Sequence, residues 1–250
     1  MEVRFQFRLF GCCDRRGQGG WRPCDCGFTG LPPRLRGCST GSRRRTGDLG
    51  GRARGLARAA LALDGYACQQ IMRDTIERRG VIWSWDHLLV PVLTGVGERG
   101  ASSGRGIAVE HILSDSVHAV LAGRARDLKV PQSARRGLLA GGEEESHFLP
   151  LWAVAAGLAE RRIGCRMLGA RVPQETLLQS ARRTGPAAVF VWAQIVGSAQ
   201  TQILADLAML RPAPTVVAGG PGWSGSTPPG VGRTTAVSYT HLRAHETGRN

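Results

Sequence analysis

The chain has 250 residues, 42% hydrophobic and 21% charged, the composition of a folding chain and not of a disordered one. Its 33 Lys and Arg against 19 Asp and Glu give a formal charge of +14, a balance that points at first to nucleic acid or an anionic surface. The longest nearly unbroken apolar run, Phe148 to Ala159, has 12 residues and holds Pro150. A membrane span needs about 18, so none is expected, and no secretory signal is readable at the start.

Residues 1–51 are rich in Gly, Arg, Cys and Pro and show no hydrophobic period. Such a stretch cannot offset its own ordering entropy, so disorder is expected. Five of the seven cysteines lie here: Cys12, Cys13, Cys24, Cys26 and Cys38. A zinc module is one reading and an Arg/Gly-rich nucleic-acid arm a second, but the cysteine spacing is irregular and no His precedes His87. A third, favoured here, is translation of GC-rich DNA in a non-native frame. Residues 1–55 carry 12 Arg against 4 acidic groups, a net of +8, while residues 56–236 carry only +5. The basic charge is therefore no footprint of the core.

Residues 52–124 read as four helices of a bundle cap domain. Apolar residues recur at Leu56, Ala60 and Leu63, then at Ile71, Thr75 and Ile76 after the Asp64-Gly65 break. Runs from Trp83 to Val96 and from Ile107 to Leu121 follow, with a glycine-rich loop between them. Residues 125–136 read as a charged linker with Pro131.

From 137 to 236 the pattern alternates. Strand-like runs at 137–140, 165–169, 187–192 and 215–218 are separated by helix-length stretches at 149–162, 174–184 and 198–210. This spacing predicts an α/β, doubly wound parallel sheet of the Rossmann-like, flavodoxin-like kind. Ligands of such sheets bind at the carboxyl ends of the strands, where the loops Gly141 to His147 and Gly219 to Gly222 fall. Residues 237–250, VSYTHLRAHETGRN, resemble a translated sequencing adapter of environmental reading frames, so His241 and His245 are set aside as a metal pair. The sheet is expected to stop soon after its fourth strand, without a closing strand and helix.

Chemistry concentrates at two places. Glu145-Ser-His147 sits at the turn from the first strand into the next helix, and a carboxylate two residues before an imidazole suits a metal-binding His that donates its other N–H. Glu110-His111 lies on the fourth bundle helix, with Ser114 and His118 on a shared face. No Ser-His-Asp order, Walker loop or dinucleotide glycine loop is present, so catalysis by protein groups is not expected and the chain reads as no enzyme.

Together these features resemble the cobalamin-binding sensory region of MerR-type cobalamin-dependent transcriptional regulators, the light-responsive adenosylcobalamin repressors. The resemblance covers residues 52–236 and rests on 83–100 (WSWDHLLVPVLTGVGERG), Val109-Glu110-His111, Glu145-x-His147, Leu168-Gly169 and Gly219-Gly220. It implies that His147 is the lower axial ligand of the cobalt, with Glu145 as acceptor behind it. It implies that Glu110 and His111 face the upper side of the corrin. The nucleotide tail would pass Gly169, Trp192, Gly219 and Gly220, where missing side chains permit close backbone approach. It further implies a cytoplasmic protein, a homo-oligomer, and DNA contact only through an upstream domain.

Three positions depart from the family. Pro150 replaces a glycine, Trp192-Ala-Gln194 replaces a small-polar turn, and Gly100 stands where the family has the Trp that covers the adenosyl group. The alternative readings are a corrinoid carrier of a methyltransferase system and a truncated fragment that binds nothing.

Overall fold

A computed structural model describes residues 43–100, 104–127, 136–223, 227–235 and 237. The expectations for residues 1–42, for most of the linker and for the tail beyond 237 lie outside the described residues.

The bundle starts with α1 (Arg43–Leu61), which buries Leu56 and Ala60. Leu63, expected on the same stripe, lies in the following turn with φ 56° and is exposed. Asp64 then caps α2 (Gly65–Arg79), its carboxylate accepting the Ala67 N–H at 2.9 Å. Cys68, Met72, Thr75 and Ile76 form the buried face of α2. Gly80, at φ 81°, turns the chain into α3 (Val81–Ser84), which continues through a π turn, Trp85–Leu89, into α4 (Val90–Gly100). The π turn has a local cause: Pro91 has no N–H and its ring crowds the preceding turn, so the helix widens just before it. The fourth element, α5 (Gly104–Asp127), buries Val109, Leu113, Val117, Val120 and Leu121. It runs past residue 124 into the stretch read as linker.

The second half alternates as the sequence pattern predicts: β1 (Gly137–Gly141), α6 (Leu149–Ala159), β2 (Cys165–Gly169), α7 (Gln174–Thr184), β3 (Ala188–Trp192), α8 (Thr201–Ala208) and β4 (Thr215–Gly219). A fifth strand, β5 (Gly232–Thr234), pairs in parallel with β4, which corrects the expectation that no closing strand follows. Gly232-Arg-Thr234 carries no apolar run; pairing with β4, not hydrophobic burial, makes it a strand. All pairings are parallel and the strand order is β2-β1-β3-β4-β5, the flavodoxin-like order whose switch point lies between β1 and β3.

Side-chain alternation divides the sheet between two cores. Leu139, Phe190, Trp192 and Val217 face α6 and the bundle, in one core that continues into Leu88, Leu113 and Val117. Leu138, Ala140, Val189, Val191, Val216 and Ala218 face the other way, with Leu177 of α7 and Leu204 and Leu207 of α8. The apolar run that begins at Phe148 is explained by this layering. In α6 every residue but Trp152 is buried, because the helix lies between bundle and sheet. Each buried Leu or Val there contributes about 1.5–3 kcal/mol. Glu160, just past α6, accepts the Val81 N–H at the start of α3 (3.1 Å) and pairs with Arg124 of α5 (3.4 Å). A carboxylate at a helix N-terminus is favourable there, and this one ties the two halves together.

Candidate functional site

The carboxyl ends of the strands form one row. Ala140 pairs with Gly169, Gly141 with Trp192, Trp192 with Gly219, and Gly219 with Thr234. The β1–α6 loop rises from this row, and its polar core is Glu145. Of the three consecutive glutamates only Glu145 is fully buried. Glu144 meets Arg171 at the surface (3.3 Å) and Glu143 accepts from Gln174 (3.3 Å).

The Glu145 carboxylate is held from four directions. One oxygen accepts the backbone N–H of His147 at 2.8 Å and the His147 Nδ1. The other accepts the Ser198 hydroxyl at 2.7 Å and the backbone N–H of Gln194. Burial by itself would raise the pKa of this carboxyl. The hydrogen bonds from His147, Ser198 and Gln194 outweigh burial and hold it below the ordinary carboxylate range. Glu145 is therefore an anion at neutral pH, which fixes the His147 ring through Nδ1 and leaves Nε2 as the nitrogen suited to a metal. The His147 side chain is only 10% exposed. Pro150 sits in the first turn of α6, where its missing N–H costs nothing, so the departure from the family glycine is accommodated.

Helix α5 supplies the opposing wall. Burial raises the pKa of Glu110, while the charges of His111 and His147 pull it down, so Glu110 lies within electrostatic reach of His147. Ser114, one turn further along α5, has a hydroxyl shielded from solvent with no hydrogen-bond partner. His118, a further turn on, packs against Phe148 and Trp152, with ring centroids 5.2 Å away in each case. His111 is exposed. The structure thus brings Glu110 and His147 together across the bundle–sheet boundary and leaves His111 at the solvent edge.

The glycines behave differently from one another. Gly169 has φ 97° and open space where a side chain would stand, and its neighbour loop is fixed by the Arg171 N–H donating to the Glu145 carbonyl (2.8 Å). At Gly219 that space is taken by the Phe190 ring. At Gly220, with φ 105°, it is taken by the Ala193 carbonyl, with the Trp192 indole 3.2 Å away. Their missing side chains make room for the protein itself, in contrast to the close cofactor approach expected from sequence. Trp192 is 1% exposed and its indole N–H has no acceptor.

Two partners of the site escaped the sequence. Gln194 and Ser198 lie 49 and 53 residues beyond Glu145, on loops with no local motif. The only available signal was their position after β3, next to the strand that carries the Glu-His loop.

The residues present suit a corrinoid ring in two respects. Among the described residues no three His, Cys, Asp or Glu side chains form a metal cluster, so the lone His147 suits a metal that brings its other ligands in a macrocycle. The buried, unpaired Ser114 hydroxyl on the facing helix is an unmet donor that a bound group would satisfy. No described helix is long and apolar enough to cross a membrane.

Comparison with known proteins agrees with this picture. Residues 52–123 match the family model described as B12 binding domain. A stretch of 119 residues is 30% identical to the HTH-type transcriptional repressor CarH of Myxococcus xanthus, spanning 48% of this chain and 40% of that protein's length. The fold resembles the monomethylamine corrinoid protein of Methanosarcina barkeri, with a TM-score of 0.54 over 76% of this chain and 95% of the other at 13% identity. What the chain shares with known proteins is a B12-binding helical domain joined to a five-stranded parallel sheet of the corrinoid-protein fold.

Proposed function

We propose that the chain is the adenosylcobalamin-binding sensory module of a transcriptional regulator, with His147 as the lower ligand of the cobalt. The buried Glu145–His147 pair carries this reading, because a carboxylate with four hydrogen-bond partners is an expensive way to orient one imidazole unless the ring has a ligand to hold. Glu110, His111 and Ser114 of α5 would cover the other face of the corrin. The bound group would supply a light-labile cobalt–carbon bond. The protein's part is to hold the ring between two domains whose packing changes with what occupies that face. Assembly into a homo-oligomer and DNA contact through an upstream domain belong to the same reading, as does a cytoplasmic location.

The likeness in fold to the corrinoid protein of Methanosarcina barkeri keeps a second reading, a corrinoid carrier in methyl transfer. The two separate in one pair of experiments. Titration of the chain with adenosylcobalamin is expected to give the spectrum of a detached base with His on cobalt, and His147→Ala is expected to abolish it. An unchanged spectrum with wild type overturns both readings. Illumination of the loaded chain is expected to change its oligomeric size by light scattering; a size unchanged by light removes the sensor and leaves the carrier.

A further inference from the structure

The resemblance routes the nucleotide tail of cobalamin past Trp192 and Gly219-Gly220, and that route is filled. The crevice at the switch point between β1 and β3 is where an appendage of the ligand would enter. Here its walls are bonded to each other. The Gly142 N–H donates to the Trp192 carbonyl (2.9 Å), the Ala193 N–H to the Gly219 carbonyl (2.9 Å), and the Gly222 N–H to the Ala193 carbonyl (2.9 Å). The Trp223 indole N–H donates to the same Gly219 carbonyl (2.9 Å). A side chain at Gly142 would strike the Ser198 carbonyl, and one at Gly222 would strike the Ile195 carbonyl. Below this lacing Phe190 and Trp192 stack with centroids 6.2 Å apart, and the Phe190 ring fills the space over Gly219. Core packing of this density leaves no slot for a benzimidazole nucleotide unless two aromatic side chains leave.

We infer that this chain binds the corrin ring through His147 without lodging the nucleotide tail in its sheet domain, and that it prefers corrinoids that lack the tail. The inference rests on the cobalamin reading above but concerns a different part of the ligand. The ring side of the site is open to it: His147, Glu110 and Ser114 lie on the α5–α6 side of the rim, whereas the filled crevice lies beneath β3 and β4. The ligand class is the incomplete corrinoids, of which cobinamide is the simplest probe.

The test uses the full chain and two ligands, aquocobinamide and aquocobalamin, followed by absorbance and by retention on gel filtration. Cobinamide is expected to bind at least 10-fold more tightly. Cobalamin must give up its own base to accept His147, so equal or tighter cobalamin binding would require contacts to the tail and would overturn the inference while leaving the cobalamin reading intact. Failure of both ligands to bind would overturn both. The ratio of the two affinities in Trp192→Ser, set against wild type, cancels the cost of detaching the base. It is expected to shift toward cobalamin by several-fold, because the serine leaves room that the indole fills; a ratio unchanged in a folded variant contradicts the closed crevice. Should Trp192→Ser not fold, the wild-type ratio decides alone.

Discussion

Two rims of the same sheet, equally suggestive in sequence, turn out to be built on opposite principles. The β1–α6 loop spends buried polar groups: Glu145 is fully buried and collects hydrogen bonds from three residues around His147. The β3 and β4 ends spend glycines, and the space those glycines release is taken by Phe190, Trp192 and the Ala193 carbonyl. A buried charge needs partners and points outward to chemistry; a glycine whose missing side chain is replaced by a ring points inward to packing. Only the first is a site on physical grounds.

The comparison breaks most readily at Glu145. Glu145→Gln leaves the Gln194 N–H, the Ser198 hydroxyl and the His147 ring competing for one carbonyl oxygen, and is expected to cost about 3 kcal/mol in urea unfolding. The same carboxyl sets an acid limb. Its folded pKa lies below the ordinary 4.5, so its stabilising effect is complete above that value and is lost as pH falls through the folded one. Stability of the wild type should therefore decline below about pH 4.5, and Glu145→Gln should flatten that decline.

The second rim gives the next effect. Gly219→Ala would drive a methyl into the Phe190 ring and is expected to cost about 1–3 kcal/mol, with no ligand present. Gly169→Ala meets open space and is expected to cost only about 1 kcal/mol for its left-handed backbone. Equal costs at the two positions, measured by chemical unfolding, would erase the distinction between a packing glycine and a rim glycine.

Smaller effects sharpen the boundary between the domains. Glu160→Ala removes the acceptor at the start of α3 and the partner of Arg124, and a loss of about 1 kcal/mol in thermal or chemical unfolding is expected. Glu110→Gln should act in the opposite sense. Burial raises the pKa of Glu110, so its charged form opposes folding at neutral pH, and the amide is expected to raise the melting temperature slightly, with the gain vanishing in acid.

Much of the fold was legible because its signals are local. The apolar run from Phe148 announced a helix buried on all sides, and the short β-rich runs announced β1 to β4 within a residue or so. Two elements were not legible. The strand β5 has no apolar pattern and exists because β4 offers it an edge. Leu63 reads as part of a helical stripe, but the helix ends at Leu61 and the residue falls in the turn that delivers Asp64 to its cap. At the site, Glu145 and His147 could be read from two positions in sequence. Gln194 and Ser198 could not, since only the folded sheet brings β3's loop beside β1's. The glycine pair at 219 and 220 was visible as a motif, but its occupant was not: composition shows where a side chain is missing and never what fills the gap.

The central claim is that His147 binds cobalt, and electron paramagnetic resonance of the loaded chain in the cobalt(II) state tests it most directly. A single axial nitrogen splits each cobalt line into a triplet when it is ¹⁴N and a doublet when it is ¹⁵N. Protein labelled with ¹⁵N only at histidine is expected to turn the triplet into a doublet, and His147→Ala to abolish that change. A triplet that persists in the labelled protein would show the ligand's own base still on the metal and would contradict the account.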